Sequence, residues 1–217
     1  MNYPIYFDSK KSSHLFELND RFDFLKDLYI KNKLPNILML SGQKGLGKST
    51  LINHLLFYIF DKNNYDVKNY NFDNKSSFYN QFLSNIFSNI IYLSGSDFKN
   101  IKIEDIRNLK SKILKTTILN KPRFIIFDDV EVFNNNSLNA LLKILEEPSI
   151  NNHFVLINNL SNPLIDTIKS RCLEIKILLN EKKRQNIIKF LIEKFKIQLT
   201  IDPQSSYLTP GNFIKFN

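Results

Sequence analysis

Residues 42–49 read Gly42-Gln43-Lys44-Gly45-Leu46-Gly47-Lys48-Ser49, which is a complete G-x-x-x-x-G-K-[ST] pattern. The apolar run 37–40 enters this stretch as a short buried strand would, and residues 50–56 leave it with helical spacing. In a strand–loop–helix context, glycines let backbone N–H groups turn inward on phosphates, and the helix directs its positive N-terminal end at them. The stretch therefore predicts a phosphate-binding loop, whereas a merely glycine-rich turn would lack the flanking strand and helix.

The pattern also assigns roles to single residues of the loop. We expect Lys48 to reach the β- and γ-phosphates of ATP or ADP, and Ser49 to hold Mg²⁺ through its hydroxyl. The residues expected to bind the nucleotide are Gly42, Gly45, Gly47, Lys48, Ser49 and Thr50.

A second motif follows the apolar run 124–127, which is typical of a parallel strand buried on both faces. The run ends in Asp128-Asp129. A carboxylate in this position lies at the carboxyl edge of the sheet, where open α/β folds bind ligands. We therefore expect Asp128 to hold Mg²⁺ together with Ser49, directly or through water. The alternative is that the two aspartates simply open a turn.

Composition excludes several classes of protein. No stretch of the 217 residues approaches 18 uninterrupted apolar positions, so no membrane span is expected. The N-terminus lacks the basic-then-apolar layout of a signal peptide. A single cysteine, Cys172, excludes an internal disulfide and a cysteine-based zinc cluster, and the three histidines fit no metal-ligand spacing, so no zinc is expected. We expect a cytoplasmic protein.

The formal charge of +9 indicates a generally basic surface that favours approach to DNA. The lysines are dispersed, with small concentrations at 110–112 and 182–184. Charge alone therefore identifies no DNA-binding site.

Along the chain, apolar runs typical of strands alternate with helical patterns, which predicts a parallel, doubly wound sheet. Strands are predicted at 37–40, 90–93, 124–127, 154–157 and 173–175. Helices are predicted within 14–32, 50–56, 103–113, 138–145, 164–169 and 181–195, with capping side chains from 135–137 and a loop over 61–75. We expect a nucleotide-binding core over 1–178 and the start of a helical domain over 179–217. Because a new helix begins near 210–212, we expect a fragment.

Four segments together resemble the AAA+ clamp-loader subunits of bacterial DNA polymerase III, most closely the delta-prime subunits. They are residues 42–49, 128–131, 139–148 (NALLKILEEP) and 166–172 (DTIKSRC). The resemblance extends from about residue 34 to 211. It implies an α/β fold of the AAA+ P-loop NTPase type, with a five-stranded parallel sheet flanked by helices and a partial helical lid domain. A C-terminal collar domain of that family is not expected within these residues.

The resemblance implies further site residues. Arg171 corresponds to the arginine finger, which stabilises charge on the phosphoryl group transferred in a neighbouring subunit. Asn158, with Asn159 as the fallback, corresponds to a sensor of the γ-phosphate or attacking water. Asp129 stands where AAA+ ATPases usually have a water-positioning glutamate, with Glu131 as a less well placed substitute if the strand continues.

Two departures from the family pattern indicate weak hydrolysis. The side chain of Asp129 is one methylene shorter than a glutamate, and positional errors near 1 Å cost about 10²-fold in rate. The family's P-G motif often carries an arginine that reads the γ-phosphate, whereas Asn212 follows the glycine here. Nucleotide-binding residues are thus kept while hydrolysis residues are altered.

The leading interpretation is a delta-prime-like subunit that binds ATP or ADP with Mg²⁺ and lends Arg171 to a partner ATPase. Its partners would be the gamma/tau and delta subunits and, through the complex, the sliding clamp and primer-template DNA, without a membrane. One alternative is a gamma/tau-like motor that itself hydrolyses ATP. Another is an unrelated phosphate-loop kinase or GTPase, which would not explain residues 166–172.

Overall fold

A computed structural model describes residues 8–95, 113, 121–146, 151–204 and 206–217. These residues form two compact units. The sheet unit takes its residues from 35–42 and 84–176, and the helical unit takes its residues from 1–34, 43–83 and 177–217.

The strands and helices follow one another in the alternating order that the sequence predicts. The described strands are β1 (Ile37–Ser41), β2 (Tyr65–Asp66), β3 (Asn71–Phe72), β4 (Ile90–Ser94), β5 (Arg123–Asp128), β6 (Asn152–Asn158) and β7 (Leu173–Lys176). The described helices are α1 (Asn19–Ile30), α2 (Lys48–Phe60), α3 (Ser77–Leu83), α4 (Asn135–Leu145), α5 (Asp166–Lys169), α6 (Glu181–Phe195) and α7 (Pro210–Phe216). Single 3₁₀ turns occur at Lys62–Asn64 and Val130–Val132.

The sheet unit is built on five parallel strands in the order β4-β5-β6-β1-β7. The four residues 124–127 of β5 are fully buried, as expected for a strand covered on both faces. All five predicted strands are present, so the predicted α/β fold with a five-stranded parallel sheet is confirmed. Parallel pairing brings the carboxyl ends of these strands to one edge of the sheet, and this edge carries Ser41, Asp128 and Asn158.

One face of this sheet packs against α4 and α5. Alternate strand residues contribute to a single apolar cluster with the buried side of α4, including Met39, Phe127 and Leu156 from the strands and Leu141 from the helix. The capping residue of α4 is Asn134, whose Oδ1 accepts the N–H of Ser137 at 2.9 Å. The prediction that residues 135–137 cap the helix is therefore wrong by one position, because Asn135 already lies inside the first turn.

In the helical unit, aromatic side chains form a core around Phe57 of α2. Phe57 stacks on Phe72 with ring centroids 3.8 Å apart, and Phe78 and Phe82 meet it edge-on. Phe72 lies on the short β2–β3 hairpin, so the prediction of a plain loop over 61–75 is wrong at these strands. The pairing of two-residue strands depends on such tertiary contacts and leaves little periodicity in the sequence.

The helices α6 and α7 form a second cluster in the helical unit. Ile187, Ile188 and Leu191 of α6 pack with Phe213 and Ile214 of α7. The bounds of α6 match the predicted helix 181–195, and α7 begins where the sequence indicates a new helix.

Two further predictions differ from the structure or fall outside it. The helix predicted within 14–32 begins only at Asn19, because Glu17 has a left-handed φ of 53° and His14 bridges to Asn71. The helix predicted over 103–113 lies outside the described residues, apart from Ile113. Among the helices that the structure describes, none combines the length and the apolar character needed to span a bilayer.

Candidate functional site

The phosphate loop has the backbone that its sequence predicts. Gly45 and Gly47 have φ angles of 89° and 82°, which side-chain-bearing residues rarely adopt, and Gly47 lies directly before the first residue of α2. Lys48 is only 2% exposed, and its Nζ donates to the backbone oxygen of Gln43 at 2.8 Å. The ammonium thus lies against the backbone of its own loop. Ser49 and Thr50 are half-buried in the first turn of α2.

A glycine-rich loop with a buried lysine at the start of a helix fits a polyphosphate. The loop supplies backbone N–H groups and the buried ammonium of Lys48, and a hydroxyl follows in Ser49. Gln43–Ser49 and Thr50 belong to the helical unit. Gly42, Asp128, Asp129, Asn158 and Arg171 belong to the sheet unit.

Asp128 ends β5 and is oriented by two hydrogen bonds. Tyr92 on the neighbouring strand β4 donates its hydroxyl to Oδ2 at 2.5 Å, and the N–H of Asp129 donates to Oδ1 at 2.9 Å. Hydrogen bonds of this kind also fix the orientation of ligand oxygens where a carboxylate binds a metal. Sequence reasoning missed Tyr92, since its relation to Asp128 arises only from strand pairing. In the described part of the chain, no group of three or more His, Cys, Asp or Glu residues could hold a metal.

Asp129 has a different environment from its neighbour. Its backbone is left-handed, with φ 53° and ψ 43°, and it is 5% exposed. Asn159 donates its side-chain amide to Oδ1 of Asp129 at 2.6 Å. The carboxylate at the position of the water-positioning glutamate is therefore engaged by a neighbouring side chain.

Asn158 is the last residue of β6 and is almost fully buried. Its Oδ1 accepts the N–H of Leu160 at 2.9 Å, and its backbone oxygen accepts the N–H of Gly42 at 3.2 Å. The sensor position thus holds the first residue of the phosphate loop through its backbone. Asn159, the fallback, is the residue that contacts Asp129.

Glu131 does not continue the strand. Because β5 ends at Asp128, Glu131 lies in the 3₁₀ turn Val130–Val132, and the condition for its role as a substitute base is not met. It is buried, and its Oε1 accepts the hydroxyl of Ser161 at 2.8 Å.

Arg171 follows α5 and is held by two acceptors of its own unit. Nη1 donates to the backbone oxygen of Thr167 at 2.8 Å, and Nη2 donates to Oε1 of Glu146 at 2.9 Å. Its side chain remains 36% exposed. A guanidinium has five N–H donors, so these two bonds leave donors for an external anion. Glu146 lies in the 139–148 segment, and no signal of its own in the sequence marks its contact with Arg171.

The chain matches the model of the family described as "DNA polymerase III, delta subunit" over residues 18–181. A DNA polymerase III subunit delta' of Buchnera aphidicola subsp. Baizongia pistaciae is 26% identical over 146 residues, which cover 65% of this chain and 44% of that protein. The delta' subunit of Pseudomonas aeruginosa is 37% identical over 76 residues, covering 35% of this chain and 23% of that protein. The chain thus spans less than half the length of these curated relatives.

Relatives with another subunit name are also similar. A DNA polymerase III subunit gamma of Buchnera aphidicola subsp. Acyrthosiphon pisum is 27% identical over 174 residues, covering 76% of this chain and 45% of that protein. These comparisons confirm the predicted resemblance to clamp-loader subunits of DNA polymerase III.

Solved structures share the fold. A DNA polymerase III gamma subunit-related protein of Thermotoga maritima superimposes with a TM-score of 0.56 at 23% identity, covering 82% of this chain and 53% of that one. A variant of Thermotoga maritima RuvB gives a TM-score of 0.52 at 16% identity, covering 91% of this chain and 58% of that one. At these identities the likeness concerns the fold alone.

Proposed function

Because this chain belongs to the family of DNA polymerase III delta subunits, we propose that it acts as a delta-prime-like subunit of a clamp loader. In this role it binds a nucleotide in its own phosphate loop and supplies Arg171 to the ATP site of a neighbouring ATPase subunit. The single observation that supports the second part best is the guanidinium of Arg171. It is oriented by Thr167 and Glu146 and remains partly exposed.

Nucleotide binding is supported by the geometry of the loop itself. Two positive-φ glycines and the buried Lys48 give the loop the N–H groups and the cation that phosphates require. Ser49 and the oriented carboxylate of Asp128 are the groups that we propose for Mg²⁺. The bound Mg²⁺ would neutralise phosphate charge, as it does in nucleotide sites generally.

Weak hydrolysis of the chain's own nucleotide is supported by Asp129. Its carboxylate is short, its backbone is left-handed and its Oδ1 is bound by Asn159. None of these features suits the positioning of an attacking water. The subunit would therefore serve chiefly as a partner that completes another site.

The proposed partners follow from the same role. They are the gamma/tau and delta subunits of the loader and, through the assembled complex, the sliding clamp and primer-template DNA. A cytoplasmic location is part of this proposal.

The test is Arg171→Ala in the full-length protein, reconstituted with the partner subunits, clamp and primer-template DNA. We expect turnover at the neighbouring ATP site to fall by about 10³-fold or more in single-turnover assays, because an arginine supplied in trans is worth about that much in other phosphoryl-transfer systems. Clamp loading should slow with it. Arg171→Lys should restore little, because an ammonium lacks the planar fork of donors.

A matched control distinguishes nucleotide binding by the chain's own loop from the contribution of Arg171 to a neighbouring site. Arg171→Ala should leave nucleotide binding by the chain itself unchanged, whereas Lys48→Ala should abolish it in calorimetry. If the Arg171→Ala complex loads clamps at the wild-type rate, the proposed contribution in trans is wrong.

The second candidate is a gamma/tau-like motor. The similarity to a subunit named gamma over 174 residues favours it, as does the intact Lys48-Ser49 pair. Brisk ATP hydrolysis by the wild-type chain without partners would favour this motor over the delta-prime-like role.

A further inference from the structure

The turn that begins α7 makes direct contact with the phosphate loop inside the helical unit. We call residues 209–212 the lid turn. Thr209 donates its hydroxyl to the backbone oxygen of Lys44 at 2.6 Å, and the N–H of Gly211 donates to the backbone oxygen of Gly45 at 3.0 Å. The side-chain amide of Asn212 adds a weaker bond to the oxygen of Lys44 at 3.3 Å. Three donors of the lid turn thus reach two consecutive carbonyls of the loop.

The hydroxyl of Thr209 is used in an unusual way. Thr209 is the N-cap of α7, where a threonine side chain commonly accepts a hydrogen bond from the first turn of its own helix. No such bond forms here, and the hydroxyl donates to Lys44 instead. The contact with the loop therefore takes the place of a local cap.

The backbones of the two segments also lie close together at a pair of glycines. A Cβ added to Gly211 would come within 2.9 Å of the Cα of Gly45 and 3.0 Å of its oxygen. A Cβ added to Gly45 would meet Thr209 and Asn212. Only glycine at both positions allows this approach.

The lid turn is itself firmly held. Arg184 on α6 donates to the backbone oxygens of Pro203 and Leu208, at 2.9 and 3.2 Å, just before the turn. Arg184 is in turn bound twice by Glu181. The apolar side of α7 is buried against α6 through Phe213 and Ile214. The donors of the lid turn are therefore held in place by contacts with α6.

These contacts matter because of how such a loop binds an anion. When successive N–H groups converge on phosphates, the carbonyls of the same loop must point elsewhere and need donors. A peptide that rotated would turn its carbonyl oxygen toward the phosphates and repel them. Donors that fix the carbonyls of Lys44 and Gly45 therefore keep the loop in one orientation before a nucleotide arrives, which lowers the cost of binding.

We propose that Thr209 and Gly211 are positioning residues for the nucleotide: they hold the phosphate loop in its binding conformation through the carbonyls of Lys44 and Gly45. The inference rests on the proposed nucleotide binding and extends it from the loop to α7. By reciprocity, a bound nucleotide stabilises the lid turn as much as the turn stabilises binding.

The first test removes one hydroxyl. Thr209→Val keeps the shape of the side chain, and we expect it to weaken Mg²⁺–ADP binding by roughly three- to tenfold in calorimetry, since one hydrogen bond to the loop is lost. Thr209→Ser, which keeps the hydroxyl, should restore most of the affinity. Thr200→Val is the matched control, because its hydroxyl bonds to Phe216 and Asn217 at the other end of α7 and should leave the affinity unchanged.

The second test uses the glycine contact. Gly211 has no left-handed φ, so Gly211→Ala adds only the clash with Gly45 and otherwise favours the helix. We expect weaker ADP binding in spite of that better helix propensity. In the wild-type chain, ADP should also slow hydrogen exchange of the amides of 211–216, and Thr209→Val should reduce this protection. A merely structural role of Thr209 would not produce that nucleotide-dependent change.

The outcomes of these tests distinguish the proposal of nucleotide binding from the proposal that Thr209 and Gly211 position the loop. If the wild-type chain binds ADP no better than Lys48→Ala, nucleotide binding itself is wrong and the positioning role falls with it. If wild type binds ADP but Thr209→Val and Gly211→Ala bind equally well, the positioning role alone is overturned. A loss in Thr209→Val that Thr209→Ser does not restore would also overturn it. Should Thr209→Val fail to fold, unchanged exchange at 211–216 on adding ADP to wild type would still contradict the proposal.

Discussion

At the scale of single residues, Asp128 and Asp129 are adjacent in the chain but have different surroundings. Asp128 ends a strand and is oriented by Tyr92, whereas Asp129 adopts a left-handed backbone and is bound by Asn159. Both carboxylates accept hydrogen bonds within the protein: that of Asp128 from the Tyr92 hydroxyl and the N–H of Asp129, and that of Asp129 from the Asn159 amide.

The replacement Asp129→Glu tests this difference. A longer side chain moves the carboxylate outward by one methylene, and we expect ATP turnover by the chain to rise by roughly tenfold or more, because geometric errors near 1 Å cost about 10²-fold. Single-turnover hydrolysis with bound ATP measures it. Asp129→Asn is the control, since it keeps the length and tolerates the left-handed backbone but has no basic carboxylate. A glutamate variant no faster than the asparagine variant would contradict the expectation.

At the scale of elements, α2 is tied to the rest of the helical unit by a buried histidine. Nε2 of His54 lies 3.1 Å from the backbone oxygen of Ser12, which can only accept, so Nε2 carries the proton. Nδ1 then accepts the hydroxyl of Tyr65 at 3.0 Å. Burial, with a smaller contribution from His14, lowers the pKa of His54 to about 3. The helix that follows the phosphate loop therefore requires a neutral imidazole.

This requirement predicts a loss of stability in acid. The unfolded chain binds a proton at His54 near the ordinary pKa of 6.5, whereas the folded chain does so only near 3. The free energy of unfolding should therefore be independent of His54 above pH 6.5 and fall below it, by at most about 1.4 kcal/mol per pH unit. Urea unfolding between pH 7 and 4.5 measures the slope.

His54→Gln isolates the contribution of this residue. Burial also lowers the pKa of His14 and His153, so the wild-type slope includes all three histidines. The glutamine variant should be less stable at pH 7 but should have a flatter slope between pH 6.5 and 4.5. An unchanged slope would show that His54 does not titrate on unfolding as described.

The sequence predicts an element well where neighbouring residues determine it, and poorly where contacts with distant residues support it. The helix 181–195 and the strand–loop–helix arrangement around residues 42–49 are predicted correctly because periodicity and a contiguous motif determine them. The β2–β3 hairpin is missed because tertiary contacts of Phe72 support it. The same holds within the candidate site, where Tyr92 lies 36 residues from Asp128 and Thr209 lies 165 residues from Lys44. No local pattern marks such partners.

At the scale of the whole molecule, we expect these 217 residues to be monomeric when isolated. A formal charge of +9 opposes self-association through mutual repulsion. Sedimentation velocity at moderate salt should give the mass of a monomer.

The partner subunits provide the control for that measurement. Mixed with them, the protein should sediment as a larger complex, whereas alone it should sediment as a monomer. A stable pentamer of the 217 residues by themselves would contradict the expectation.

The order of strands in the sheet also bears on how the chain is made. β1 is the first strand of the sheet to leave the ribosome, yet its two neighbours are β6 and β7, with Ser41 paired to Asn158 and Lys176. Synthesis proceeds at about 5–20 residues per second, so β1 emerges several seconds before either neighbour. During that interval the nascent chain exposes an apolar strand with open edges, which is the kind of segment that aggregates or recruits chaperones. The strand that leads into the phosphate loop is therefore synthesised early, but it pairs with its neighbours late.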